Sequence, residues 1–385
     1  MTQHLDSDKS AHDQPRTTRR GFHRTVATAA SSAFSFYFIP SHAWGQLERP
    51  ALGAIGVGGK GASDVTGAQA AGFQIAALCD VVDRRKLGGV KIQRNPGKAQ
   101  DDFPELPFFT DYREMLDRMG DKIDAVTVST PDHHHFHASW LAMQKGKHVY
   151  CQKPLTHGAW EARTLARVAA EQGVKTQMGN QAHAEDHMRR CIELVRAGVI
   201  GKIKAAYGWT NRPIWPQGMK TPPDTEPVPA WINWEQWIGP APFVDYSSKI
   251  APFNWRGIWD YGCVALGDMA CHILDMPWWA LQPGPPLSVT AEQQGGTEWS
   301  PPISSKITWQ FGPSEYTADD GCRIVWYDGY PDAHFDRESW SLKKEGDEFH
   351  HPPAEVMGAA DYRQYDNVLI GEQGRMFFNR DHVNW

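Results

Sequence analysis

The sequence predicts an α/β protein of two domains, a doubly wound parallel sheet over residues 49–178 and an α+β domain over residues 179–385 whose sheet is mostly antiparallel and open-faced. Three observations predict it. Apolar runs alternate with helix-length stretches from Arg49 to Met178, a glycine turn opens the first alternation, and beyond Gly179 strands follow one another mostly without helices. At 385 residues the chain has room for two domains with ample cores.

Residues 1–43 precede both domains. Arg16, Arg19, Arg20 and Arg24 stand before a mildly apolar run from Val26 to Ile39, and Ser41-His42-Ala43 is a small-x-small site, so this stretch is expected to be a targeting segment outside the fold. Thr18-Arg19-Arg20-Gly21-Phe22 is similar to a twin-arginine export signal, and the apolar run is too short to cross a bilayer. The expectation is a protein of the periplasm or cell envelope with no stable membrane insertion. The formal net charge is −6 and no long basic run follows the leader, which argues against nucleic acid as a partner. Six cysteines without CxxC spacing read as buried thiols, and spacing names no disulfide.

In the first domain the strands are predicted at Leu52–Val57, Ile75–Cys79, Ala125–Ser129, His148–Cys151 and Val174–Met178. Helices are predicted at Tyr112–Met119, Phe136–Lys145 and Ala159–Glu171, with Gly120, Gly146 and Gly173 as stops. The second domain opens with a helix from Glu185 to Ala197. Strands are then predicted at Lys202–Thr210, Leu287–Ala291, Ile303–Phe311, Cys322–Tyr327 and Asn367–Ile370. A Pro- and Trp-rich irregular segment fills residues 211–259.

Gly56, Gly58 and Gly61 form a GxGxxG turn between a strand and a helix, and with Gly59 they constitute the expected phosphate cradle of a Rossmann domain. Gly56 permits the tight turn, Gly58 lets the backbone approach a pyrophosphate, and Gly61 allows close strand-to-helix packing. Asp80 ends the second strand 19 residues past Gly61, where a carboxylate accepts the adenosine ribose hydroxyls and repels a 2′-phosphate, so NAD is the expected cofactor. Two further loops leave carboxyl ends of parallel strands, the edge at which open sheets bind ligands. They are Ser129-Thr130-Pro131-Asp132-His133-His134-His135 and Gln152-Lys153-Pro154. Consecutive histidines in one loop rarely converge on an ion, so no metal is expected.

These motifs, in order with Gly267-Asp268-Met269-Ala270-Cys271-His272-Ile273-Leu274-Asp275, resemble the Gfo/Idh/MocA family, which includes glucose–fructose oxidoreductase and inositol dehydrogenase, over residues 51 to about 280. The resemblance implies that Lys153, Asp268 and His272 are catalytic, and the i, i+4 spacing puts Asp268 and His272 on one helix face. It also implies that Thr130, Pro131, His135, Gln152 and Lys153 face the cofactor. Gln152 stands where the family has Glu, which removes a negative charge beside Lys153. The chain also stops at Trp385, short of the family's C-terminal elements, so a truncated second domain is expected.

Nine of the 17 tryptophans fall between Trp209 and Trp279. Indoles stack on the C–H faces of sugar rings, and Arg212, Trp255 and Arg256, with Lys153, Asp268 and His272, are the expected substrate contacts. The alternative is that the indoles pack under a long loop or form an oligomer surface. The functional expectation is an NAD-dependent oxidoreductase that transfers hydride from a secondary or anomeric hydroxyl of a sugar, polyol or glycoside and keeps its cofactor tightly bound. Two alternatives stand beside it: a redox-neutral glycosidase or epimerase using transient ring oxidation, and a non-catalytic nucleotide or sugar sensor. An open-faced sheet also points to a homo-oligomer.

Overall fold

The computed structural model describes residues 49–379 and 383–384, and the leader at 1–43 lies outside the described residues. The first domain is a six-stranded, fully parallel sheet in the order β3-β2-β1-β4-β5-β6. Its strands are β1 Ala51–Ile55, β2 Gln74–Cys79, β3 Phe108–Phe109, β4 Ala125–Val128, β5 His148–Gln152 and β6 Thr176–Gly179. The helices of interest are α1 Lys60–Ala70, α2 Tyr112–Met119, α3 His135–Gln144 and α4 Ala159–Gln172. The central strands β1 and β4 are apolar except for Thr127 because helices cover both faces, and Leu52, Ala54, Val126 and Val128 are all buried. The two-residue β3 is too short to leave a periodic signal in the sequence.

The second domain contains α5 Asp186–Arg196 and a seven-stranded sheet in the order β15-β14-β13-β7-β10-β9-β8. Its strands are β7 Ile203–Thr210, β8 Pro286–Gln294, β9 Ser304–Phe311 and β10 Cys322–Gly329, then β13 Asn367–Gly371, β14 Arg375–Phe378 and β15 Val383–Asn384. A separate hairpin of β11 His334–Asp336 and β12 Ser341–Lys343 precedes β13. β7 runs parallel to β10 and every other pairing is antiparallel, so the sheet is mixed.

Alternation along β7 and β10 fills both faces. Ala206, Ile324 and Trp326 pack toward α5 and the helix after residue 264, whereas Ala205, Tyr207, Trp209, Val325 and Tyr327 pack against Phe349, Met357, Tyr362 and Tyr365. The face expected to be open is thus covered along β7 and β10 by residues 349–365, and exposed apolar side chains remain on the edge strand β8 at Leu287 and Val289. Gly208 decides how close the helix can come: a Cβ there would lie 2.7 Å from Leu274 and 2.9 Å from Ile273. This contact sets the height of the whole helix over the sheet.

The irregular segment returns to the first domain. The Asn233 backbone N–H donates to Val81 O at 2.8 Å and the Asp83 backbone N–H to Trp231 O at 2.8 Å, which seats the segment beside the end of β2. Trp234 and Trp237 stack at 4.6 Å and both are buried, as are Trp215 and Trp255. Most of these indoles form the core of a long loop. All six cysteines are free thiols, and among the described residues no helix is long and apolar enough to cross a membrane.

His133 and His134 fasten the same segment to the loop after β4. The His133 Nε2 and His134 Nε2 atoms lie 3.0 and 2.8 Å from Trp237 O. Burial lowers both histidines, His134 to about 4. The unfolded chain takes up a proton on this imidazole below about pH 6.5, and the folded chain refuses it until about pH 4. Stability attributable to His134 is therefore lost as pH falls through that window. His134→Gln is expected to flatten the acid side of the stability–pH curve between those limits, by up to roughly 3 kcal/mol, in urea unfolding followed at several pH values.

Candidate active site

A cavity of about 610 Å³ runs along the carboxyl edge of the first sheet, with the glycine turn at one end and Lys153, Asp268 and His272 at the other. The turn is built from contacts that side chains would break. Gly56 has φ +76° and its Cβ would lie 2.6 Å from Ser129 O, while a Cβ on Gly61 would lie 1.9 Å from Gly56 O. Gly58 is hemmed in from a direction the sequence did not suggest, because its Cβ would fall 2.4 Å from Gly97 N, in a loop that closes over the turn. Helix α1 starts without a side-chain cap, which leaves its first-turn N–H groups and its positive dipole end for an anion.

Asp80 faces that turn. Its carboxylate accepts from Val57 N and Val82 N, both at 2.9 Å. Burial raises the carboxyl above its usual range, and these two backbone donors oppose that rise. The Gly97 backbone opposes the rise as well, and a carboxylate with about four acceptor sites keeps room for a ribose hydroxyl. Thr130 and Pro131 line the cavity, and the Thr130 hydroxyl is buried without a partner among the described residues. A buried hydroxyl facing a cavity calls for a polar ligand atom, so the wall fits a dinucleotide from Asp80 to Thr130.

At the far end, Lys153 leaves the tip of β5 and donates to Asp268 Oδ1 at 2.7 Å and to Asp268 O at 2.8 Å. Asp268 lies on a π-helical turn, Leu266–Ala270, that runs into the α-helical Cys271–Ile273. Such turns recur at functional sites because the extra residue re-aims the side chains. Gly267 makes room inside this turn, since a Cβ there would lie 2.2 Å from Cys263 Cβ. His272 lines the same cavity. Burial and the Lys153 charge lower its pKa from the ordinary value, with the Gln181 backbone and Asp268 acting in the opposite sense, so the imidazole is neutral at pH 7.

Arg256 lies 3.9 Å from Asp268, with its guanidinium 4.2 Å from the Trp255 ring and 5.0 Å from Phe253. Arg94 covers the Phe253 ring at 4.2 Å. Both arginines line the cavity, and sequence reasoning missed Arg94 because it lies in a loop with no motif. Trp231, Trp237 and Trp255 reach the cavity wall.

Two expected contacts lie elsewhere. Arg212, two residues past the end of β7, turns to Asn211 Oδ1 at 3.2 Å and does not line the cavity. His135 sits behind the wall, with Nδ1 2.6 Å from Pro154 O and Nε2 3.0 Å from Thr130 O. Burial works against its charge, but Cys151, Asp132 and the Pro154 carbonyl outweigh it and push His135 up to about 9. As a double donor it clamps the two cofactor loops together. Among the described residues no cluster of three or more His, Cys, Asp or Glu side chains converges as a metal site.

The profile of the oxidoreductase family with an NAD-binding Rossmann fold, Gfo/Idh/MocA, matches residues 52–180, and the profile of that family's C-terminal alpha/beta domain matches residues 188–337. The chain belongs to the Gfo/Idh/MocA oxidoreductase family. Its first domain is the family's NAD-binding domain. Inositol 2-dehydrogenase of Rubrobacter xylanophilus is 27% identical over 168 residues, 43% of this chain and 45% of that protein. Glycosyl hydrolase family 109 protein 1 of Shewanella sp. strain ANA-3 is 31% identical over 170 residues, 42% of this chain and 36% of that protein. The chain thus spans less than half the length of these curated relatives. The WlbA dehydrogenase of Bordetella pertussis, solved with NADH and UDP-GlcNAcA, superposes with a TM-score of 0.56 at 15% identity, covering 88% of this chain and 81% of that one, which shows the shared fold.

Two measurements follow from this geometry. Gly61→Ala drives a methyl into Gly56 O, so NADH affinity read by fluorescence titration is expected to fall roughly tenfold or more; unchanged affinity contradicts the cradle. Lys153→Met removes the cation that depresses His272, so the His272 imidazole followed by NMR is expected to titrate closer to pH 6.5 than in the parent protein.

Proposed function

We propose that the protein is an NAD-dependent oxidoreductase that oxidises a secondary or anomeric hydroxyl of a sugar, polyol or glycoside. The observation that carries this reading is the Lys153 ammonium held 2.7 Å from Asp268, with His272 on the same cavity wall and the glycine turn at its other end. Bound NAD supplies hydride acceptance and donation at its nicotinamide ring. The residues of the chain supply the proton chemistry. His272, kept neutral, accepts the proton of the substrate hydroxyl, and Lys153 donates a hydrogen bond to the oxygen as negative charge builds there. Asp268 holds the ammonium in place and balances its charge. Trp231, Trp237 and Trp255 offer aromatic surface for the C–H face of a ring, and Arg256 offers N–H donors for its hydroxyls.

Export through a twin-arginine pathway to the periplasm or envelope belongs to the same reading, supported by Arg19-Arg20 and the apolar run that follows. Free NAD is scarce there, so the cofactor stays bound through the whole cycle. Exposed Leu287 and Val289 on β8 support a homo-oligomer. A second reading, a redox-neutral glycosidase or epimerase, is favoured by the glycosyl hydrolase relative, since the same Lys153 and His272 would serve transient oxidation of a ring.

Denaturing the purified protein and weighing the released nucleotide tests the retained cofactor: NAD or NADH is expected, and an empty protein that turns over only with added NAD contradicts retention. Product analysis with a panel of glycosides separates the readings, because a keto sugar marks net oxidation and hydrolysis without net redox marks the second. Lys153→Ala is expected to lower kcat on the active substrate by about 10²- to 10⁴-fold; full retention of turnover sinks both.

A further inference from the structure

The residue that replaces the family's Glu has an unexpected partner. Gln152 is buried, and its Nε2 donates at 2.9 Å to Oδ2 of Asp64, a buried carboxylate in the second turn of α1. Ser129 Oγ donates to the same oxygen at 2.8 Å, and Lys60 pairs with Oδ1. The other end of the amide is also fixed, since Gln152 Oε1 accepts from Gln181 Nε2 at 3.2 Å. A carboxylate only accepts hydrogen bonds, so the amide has one orientation that satisfies both neighbours. The negative charge absent from position 152 is thus present one hydrogen bond away, on the nucleotide-binding helix.

We propose that Asp64 and Gln152 act as one positioning unit that fixes the Gln152-Lys153-Pro154 turn against the glycine turn, and that through Gln181 it holds the loop on which His272 rests. Asp64 joins the three chain segments that converge at this edge of the sheet: α1 itself, Ser129 at the end of β4, and Gln152 at the tip of β5. Lys153 follows Gln152 directly, so any rotation of that residue redirects the ammonium relative to Asp268. The Gln181 side chain bonds Gln152 while its backbone bonds the His272 ring, which extends the connection from α1 to the second domain. Asp64 touches neither reacting atom and acts through Gln152.

This arrangement also says why Glu does not stand at 152. Two carboxylates at hydrogen-bond distance cannot both be ionised without repulsion, so a Glu there requires position 64 to lose its charge. Amide and acid are exchangeable as a pair and not singly.

The proposal rests on the redox reading for the meaning of the site, and its test is a double-mutant cycle on the full chain. Asp64→Asn, Gln152→Glu and the double variant Asp64→Asn/Gln152→Glu are compared with the parent for NADH affinity, for the emission of NADH bound at saturation, and for thermal unfolding. Each single variant is expected to weaken NADH binding about tenfold and alter the emission of the bound nicotinamide, and the double variant to return to within about threefold of the parent with its emission restored. Restored emission separates positioning from mere support of the fold. Effects of the singles that add in the double variant overturn the proposal, as does a double variant that stays unfolded where a single one does. If the parent itself binds no NADH, the redox reading fails, while the unfolding midpoints still report the Asp64–Gln152 coupling.

Discussion

The bond from Lys153 to Asp268 is the constraint around which the rest of this structure is arranged. It joins the tip of a strand in one domain to a helix in the other, 115 residues apart in the chain. Both side chains are largely withdrawn from water, so removing either leaves a charge without a partner, a cost of several kcal/mol in dry sites and less in this partly open one. Meeting that constraint takes several specific contacts. Gly208 lowers the helix onto β7, Gly267 in the π turn leaves room for Cys263, and the wound sheet delivers β5 with its carboxyl end toward the second domain.

Histidine illustrates how environment assigns roles to identical side chains. His133 and His134 are buried against carbonyls of the Trp-rich segment and stay neutral, so they work as structural pins whose value fades in acid. His135, one residue on, lies between two carbonyls and near Asp132 and is held as a cation. A double donor there links the loops after β4 and β5, and its contribution to stability is lost as pH rises from about 6.5 toward 9. For His272, burial and then the nearby Lys153 charge hold the pKa below its ordinary value beside the cavity. Nothing in the run His133-His134-His135 tells these roles apart. The carbonyls that pin His133 and His134 come from Trp237 and Tyr261, more than one hundred positions away, whereas those that hold His135 come from Thr130 and Pro154, on the two loops it joins.

The long parallel strands and their helices were legible in the sequence, with α2 predicted residue for residue and most other ends within two residues, because apolar runs and glycine stops report local geometry. The glycine turn and Asp80 were legible for the same reason. Short elements such as β3 and the hairpin of β11 and β12 carry no period and could not be read. Five of the seven strands of the second sheet were readable, but β14 and β15 were not, and neither was the covered face, since residues 349–365 show no pattern that ties them to β7 and β10. Within the site, Asp64 sits three residues past Gly61 in plain view. Its meaning appears only when Gln152 is seen to point at it. Arg94 and the turning away of Arg212 depend on how loops close, which residue spacing does not encode.

The central claim is that the Lys153–Asp268 bond and His272 stand at the nicotinamide end of one continuous cavity. A crystal structure of the protein grown with NAD tests it most directly. The account predicts the nicotinamide ring packed on the Gln152-Lys153-Pro154 turn, within about 4 Å of it, with Lys153 still bonded to Asp268 and the His272 imidazole facing the same ring. A nicotinamide lodged away from that turn, or a Lys153 parted from Asp268 and directed to solvent when the cofactor is in place, would contradict it.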